Sequence, residues 1–156
     1  MRKLAKLKAM SGTERWWLLQ AWLLLPVVKI LLWQIGYRRT VANLERWLPL
    51  HSGNLNTGNR EMQQLADTFG RLVNGAANHS LVAINCLPRS LVLWWMLRRA
   101  GLSADLRIGV QKEAGDFAAH AWIEHCGQVV TENAQVRIDY TPFAESFVMT
   151  EKSSAL

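Results

Sequence analysis

The chain has 156 residues, half of them apolar, which excludes a disordered chain and a coiled coil and favours a single domain. Its two cysteines, Cys86 and Cys126, follow no paired spacing and no signal-peptide cleavage site is recognisable, so we expect free thiols in a cytoplasmic protein. The net charge of +6 is uneven, because residues 1–60 carry ten Lys/Arg and two Glu. Such a basic part is typical of contact with an acidic partner or an anionic membrane surface, and a solvated face fits it equally well.

The first predicted element begins at Ser11–Glu14, which has the capping-box pattern of a helix start. The apolar run that follows, WWLLQAWLLLPVVKILLWQIG, is about as long as a membrane span needs. Four residues interrupt the run: Gln20, Pro26, Lys29 and Gln34. A central lysine alone costs about 2.5–3.5 kcal/mol in a span. We therefore predict two short, largely buried helices, broken at Pro26 and ended by Gly36. The basic flank MRKLAKLK leaves peripheral contact with a membrane open.

The remaining elements change from helical to strand periodicity along the chain. RRTVANLERWLPL predicts a further helical piece, HSGNLNTGN a loop, and residues 60–74 an amphipathic helix. After Gly101, Leu106, Ile108 and Val110 alternate with polar residues and glycine, and AHAWIEH, QVVTE and QVRIDY continue this rhythm. The sequence predicts an α+β fold, with helices first and then a small antiparallel sheet.

Cys86 precedes a tryptophan-rich helix predicted by CLPRSLVLWWMLRRAG. Pro88 is tolerated only in a first turn, and Gly101 is placed to end the helix, so Cys86 falls at the helix N-terminus. Free N–H groups and the positive dipole end at that position favour a thiolate and can stabilise an oxyanion. An isolated cysteine is more often a small buried apolar residue. The helix alone therefore does not establish a nucleophile.

His120 lies in AAHAWIEHCGQVVTEN, which predicts a β-hairpin with His120, Trp122 and Glu124 on one face of a strand. We predict a three-residue loop, His125–Gly127, which pairs His120 with Glu132 across the strands. A loop one residue shorter would pair His120 with Asn133 instead. Either side chain could hold the imidazole in its working tautomer, as the third member of a nucleophile, base and orienter set.

This order of cysteine, histidine and acid resembles that of the papain and transglutaminase superfamily. The C-L-x-R-S and A-H-A-W-x-E motifs, together with the segments around them, resemble the leader peptidases of lasso-peptide biosynthesis over nearly the whole chain. The resemblance implies a papain/transglutaminase-like cysteine peptidase core with the catalytic residues Cys86, His120 and Glu132. The family usually has aspartate at the third position, so glutamate is a departure. Arg89 and Ser90 belong to the motif, and we expect them to be structural.

The resemblance also implies an organisation and a set of partners. Residues 1–60 would be an apolar, basic helical segment packed on a transglutaminase-like catalytic core at residues 61–150, with a flexible tail at 151–156, in one compact domain. The enzyme would remove the leader of a lasso precursor peptide without a cofactor and pass the core to an asparagine-synthetase-like cyclase. Residues 1–60 lack the strand pattern of a winged-helix-like element, so a separate leader-binding protein is expected. A transglutaminase-like acyl transferase and a non-catalytic scaffold for precursor and cyclase remain open alternatives.

Other candidate residues carry weaker signals. Cys126 and His125 are predicted to be turn residues, and His51 and His79 to lie in loops without partners. The Cys/His spacing matches no zinc motif, so we expect no metal. The eight tryptophans are expected in the core or along a peptide groove, and the sequence has no nucleic-acid-binding motif.

Overall fold

The computed structural model describes residues 10–48, 60–113, 116–130 and 140–142. Its helices are α1 (Gly12–Arg46), α2 (Arg60–Asn78) and α3 (Cys86–Arg99). Its strands are β1 (Asp105–Glu113), β2 (Asp116–His125), β3 (Gln128–Val130) and β4 (Thr141–Pro142). The predicted α+β fold, with helices before a small antiparallel sheet, is confirmed.

Helix α1 begins with the predicted capping box. The Glu14 N–H donates to Ser11 Oγ at 3.2 Å, and the Ser11 N–H donates to the Glu14 carboxylate at 2.8 Å. The predicted break at Pro26 is wrong, because the helix continues through it and is interrupted at Gly36. Gly36 has φ 76° and ψ 175°, a conformation almost restricted to glycine. Burial of Leu25 and Val28, on either side of Pro26, helps to offset the one backbone hydrogen bond that proline removes.

The core lies between the three helices and one face of the sheet. Residues 91–97 of α3 are all buried, so this helix is central in the molecule. Helix α1 buries only one side in this core, whereas its other side is exposed. The prediction of largely buried amino-terminal helices is therefore wrong for the exposed side of α1. By length and composition alone, α1 is apolar enough to cross a membrane.

The sheet has the strand order β3-β2-β1-β4, and the ladders between these strands are antiparallel. In the hairpin between β2 and β3, His125 pairs with Gln128, which leaves a two-residue turn of Cys126 and Gly127. Their φ angles of 48° and 74° are both positive, as a type I′ turn requires. The predicted three-residue loop is wrong, because Cys126 adopts a left-handed conformation that cysteine rarely takes. His125 is thus the last residue of β2.

Candidate active site

Cys86 is the first residue of α3, as the position of Pro88 predicted. It is half-buried and its thiol is free. The first intrahelical hydrogen bond runs from the Arg89 N–H to the Asn85 carbonyl oxygen at 3.4 Å. The N–H groups of Cys86 and Leu87 precede this bond, so they have no acceptor within the helix. These N–H groups can therefore donate hydrogen bonds to an oxyanion that develops beside the thiol.

Ser90 joins this helix start to the strand that carries His120. The Ser90 hydroxyl donates to the Ala121 carbonyl oxygen at 2.9 Å, in a buried position. Ser90 lies one helical turn after Cys86 and on the same side of α3, and Ala121 directly follows His120. The Ser90 hydroxyl thus contacts the backbone of β2 directly, and this contact fixes the start of α3 beside the strand.

The direction of α3 sets the level of Cys86 along the sheet. Helix α3 leads through a short connection into β1, and the first residue of β1, Asp105, pairs with Glu124 near the end of β2. Helix α3 therefore runs in the same direction as β2. One turn back from Ser90 is about 6 Å along the helix, and two residues back from Ala121 cover a similar distance along the strand. The helix start consequently lies near the level of Ala119, the residue before His120.

The His120 imidazole is half-buried between two aromatic rings. It stacks on Trp122 with ring centres 6.4 Å apart and an interplanar angle of 15°, and it lies 5.1 Å from the Tyr140 ring. Its neighbour across the ladder is Gly109, which has no side chain to cover the ring. The alternation of β2 turns His120 to the face opposite Ala121, whose side chain joins the core. Aromatic contacts thus hold the ring on the face of β2 opposite the core, whereas α3 packs on the core face.

A buried carboxylate fixes Trp122 in turn. Trp122 Nε1 donates to one oxygen of Glu124 at 3.1 Å, and Arg107 Nε donates to the other at 3.3 Å. The Glu124 carboxylate is almost fully buried, so both of its oxygens need donors. The sequence reading placed Glu124 on the same face as His120 but assigned it no role. The period-two spacing of histidine, tryptophan and glutamate in A-H-A-W-x-E was the signal for this contact chain.

Residues 31–145 match the family model of the transglutaminase-like superfamily. The chain belongs to this superfamily. The superfamily includes cysteine peptidases and acyltransferases, and its members are commonly enzymes. The match contains both Cys86 and His120 and begins within α1. No curated protein and no solved structure matches the chain.

Arg89 is the other polar residue of the C-L-P-R-S motif, and its hydrogen bonds support the segment before α3. Its guanidinium donates to Asn74 Oδ1 of α2 at 3.2 Å and to the Ile84 carbonyl oxygen at 3.4 Å. Arg89 therefore connects α2, the segment before α3 and the first turn of α3. Both Arg89 and Ser90 make the structural contacts expected of them.

The third residue of the expected set lies outside the described residues, and so does its alternative. Glu132 was predicted from a three-residue loop, and the observed two-residue turn removes that basis. In the observed register, each residue of β2 pairs with the residue one position further along β3 than predicted. Both Glu132 and Asn133 therefore remain predictions, as does His51, which also lies outside the described ranges.

A second cysteine and histidine lie together at the hairpin turn. The His125 imidazole is 1% exposed, and its Nδ1 donates to the Ser103 carbonyl oxygen at 2.7 Å. The exposed Cys126 sulfur lies 3.8 Å from His125 Nε2 and 3.6 Å from Ser103 Oγ. His125 was predicted to be a turn residue, but it is instead a buried strand residue with a fixed ring orientation.

Two further predictions concern isolated histidines and metals. His79 follows α2, and its ring Nδ1 lies 2.8 Å from the Gly75 carbonyl oxygen. The prediction that His79 has no partner is therefore wrong. Across the described parts of the chain, no three His, Cys, Asp or Glu side chains converge as a metal site requires.

Proposed function

We propose that this chain is a cysteine peptidase that removes the leader from a lasso-peptide precursor. The hydrogen bond from Ser90 to Ala121 carries the proposal, because it joins the start of the cysteine helix to the strand of His120. Membership of the transglutaminase-like superfamily supports the chemistry. The C-L-P-R-S and A-H-A-W-I-E motifs support the narrower assignment to leader removal, by resemblance.

In the proposed mechanism, the His120 imidazole moves from its observed position to the start of α3 and takes the proton of the Cys86 thiol. The thiolate attacks the carbonyl carbon of the last leader residue. The N–H groups at the start of α3 donate to the oxyanion. His120 then protonates the amine of the core peptide, which leaves, and the leader remains bound to Cys86 as a thioester. Water, deprotonated by His120, hydrolyses the thioester and releases the leader as a carboxylic acid.

The observed turn supports Asn133, in place of Glu132, as the residue that orients His120. A ladder continuing in the register of His125 and Gln128 would pair His120 with residue 133. An asparagine side-chain oxygen can accept the ring N–H and hold the imidazole in one tautomer. Glu132, the residue before Asn133, is the alternative for orienting His120.

The proposed partners follow from the same resemblance. The precursor peptide is the substrate, an asparagine-synthetase-like cyclase receives the core peptide, and a separate winged-helix-like protein binds the leader. The leader-binding protein would raise the local concentration of precursor at Cys86. We expect faster cleavage with that protein at sub-saturating precursor. Equal rates with and without it would refute its role and leave the peptidase proposal intact.

The deciding experiment incubates the folded chain with precursor and leader-binding protein in heavy-oxygen water and follows the products by mass spectrometry. A peptidase gives a leader whose new carboxyl group carries the label. An acyl transferase, offered a primary amine, gives an unlabelled leader amide instead. Cys86→Ala should give neither product, whereas the matched variant Cys126→Ala should cleave normally. Absence of product with the unaltered chain, or full cleavage by a folded Cys86→Ala protein, would overturn the proposal and favour the scaffold.

A further inference from the structure

One side of α1 exposes a continuous apolar stripe that no described element covers. On a helix of 3.6 residues per turn its members fall within an arc of about 120° and extend over about 26 Å. Their exposed fractions range from 44% at Val27 to 85% at Trp33. The apolar stripe consists of Trp16, Leu19, Leu23, Val27, Ile30 and Trp33. Contiguous exposed apolar surface of this kind marks an interaction site.

The rest of the same helix segment packs against the domain. Ala21, Leu25 and Val28 are fully buried in the core. Trp22 Nε1 donates to the His79 carbonyl oxygen, and Lys29 Nζ donates to the Ala83 carbonyl oxygen. A helix crossing a bilayer would place these polar groups at the depth of the hydrocarbon. These contacts therefore argue against a helix that spans a membrane. They favour a helix that lies along a surface with its apolar stripe facing outward.

The amino-terminal part of the chain carries an excess of positive charge. Residues 1–46 contain nine Lys/Arg and two acids, Glu14 and Glu45. Beyond the kink at Gly36, Arg38 and Arg39 are both exposed. An anionic bilayer attracts a surface with an excess of cations. Exposed tryptophans beside basic residues are also typical of segments that lie in the headgroup region.

We propose that the apolar stripe of α1 seats the protein peripherally on an anionic membrane. The stripe enters the boundary between headgroups and acyl chains, and the surrounding cations contact lipid phosphates. The helix axis lies parallel to the membrane plane, and α2 and α3 remain on the aqueous side. The proposal does not depend on the chemistry at Cys86.

The test is vesicle flotation of the full chain. Vesicles containing phosphatidylglycerol are compared with vesicles of phosphatidylcholine alone, at low and at high salt. We expect binding to the anionic vesicles that weakens with salt, because screening reduces the attraction of the cations. The double variant Leu19→Ser/Leu23→Ser should bind at least about tenfold more weakly, because two apolar side chains no longer enter the lipid. Trp33→Ser, at the most exposed stripe position, should weaken binding several-fold with the least effect on folding.

The matched control is Cys126→Ser, which makes an exposed side chain more polar at the hairpin turn of the sheet. It should bind the anionic vesicles as the unaltered chain does. Absence of vesicle binding, equal binding to both lipid compositions, or unchanged binding of folded stripe variants would each overturn the proposal. A lipid-free dimer that the double variant converts to a monomer, without vesicle binding, would assign the stripe to self-association instead.

Discussion

The molecule contains two pairs of cysteine and histidine, and they differ in what surrounds them. Cys126 and His125 are neighbours in sequence, with sulfur and ring nitrogen 3.8 Å apart. Cys86 and His120 lie on different elements, which the bond from Ser90 to Ala121 holds together. Direct contact between a thiol and an imidazole is therefore present where we propose no catalysis. We therefore expect the surroundings of each pair, more than its contact distance, to determine what chemistry it can perform.

Two of these surroundings separate the pairs. Cys86 begins a helix of 14 residues, so free N–H groups lie beside the sulfur. Cys126 lies in a tight turn between two strands, and none of the described helices begins beside it. His120 is half-buried, whereas His125 is 1% exposed and has Nδ1 bound to a carbonyl oxygen. A base that must pass its proton to a leaving amine needs the access that His125 lacks.

The largest expected effect is that of His120→Ala. Loss of the proposed base should slow leader removal at least about 100-fold. It should also slow alkylation of Cys86 by iodoacetamide at neutral pH, because the thiol loses its proton acceptor. Peptide mapping gives the labelling of Cys86 and of Cys126 in the same sample, so Cys126 is the internal reference. An unchanged ratio of the two labels, with unchanged cleavage, would separate His120 from Cys86.

The next effect concerns the orienter of His120. Asn133→Ala should slow single-turnover cleavage about tenfold or more, because an unoriented imidazole populates the wrong tautomer. The loss should be smaller than for His120→Ala, since an orienter makes and breaks no bond to the substrate. Glu132→Ala is the matched neighbour and should stay close to the unaltered rate. The reverse result, with a slowed Glu132→Ala that Glu132→Asp restores, would return the role to Glu132.

Local sequence chemistry predicted the parts of the site that depend on few residues. The capping box at Ser11 and the helix start at Cys86 follow from rules spanning three or four residues, and both are confirmed. The strand around His120 follows from simple alternation. The bond between Ser90 and Ala121 joins residues 31 positions apart, and no local pattern specifies such a partner.

Two wrong predictions concern where the chain bends, at Pro26 and at the hairpin, and at Pro26 tertiary packing overrode a local preference. Pro26 lies within a helix whose neighbouring turns are buried in the core, whereas the interruption predicted at Gly36 is confirmed. At the hairpin, glycine was expected to supply the single left-handed residue of a longer loop. Cys126 adopts that conformation as well, which shortens the turn by one residue and changes every pairing counted from it.

A smaller effect distinguishes two buried serines, one beside each pair. Ser90→Ala should lower the free energy of unfolding by about 1–3 kcal/mol, because the Ala121 carbonyl oxygen loses a buried donor. It should also slow cleavage several-fold, since the helix start is no longer fixed to the strand of His120. Ser103→Ala, in the other pair, should cost comparable stability and leave the cleavage rate unchanged. Urea unfolding and single-turnover cleavage of both variants provide the check, and equal slowing would remove the positioning role of Ser90.

The smallest effect should be that of removing the second thiol. Cys126→Asn places asparagine before Gly127, the pair that a type I′ turn prefers, so the left-handed backbone at this position becomes easier to adopt. We expect an unchanged cleavage rate and a gain in unfolding free energy of about 0.5 kcal/mol or less, because the side chain is exposed. Thermal unfolding and single-turnover cleavage measure the two quantities. Slower cleavage by a folded Cys126→Asn protein would mean that the turn pair contributes to catalysis, and the contrast between the two pairs would fail.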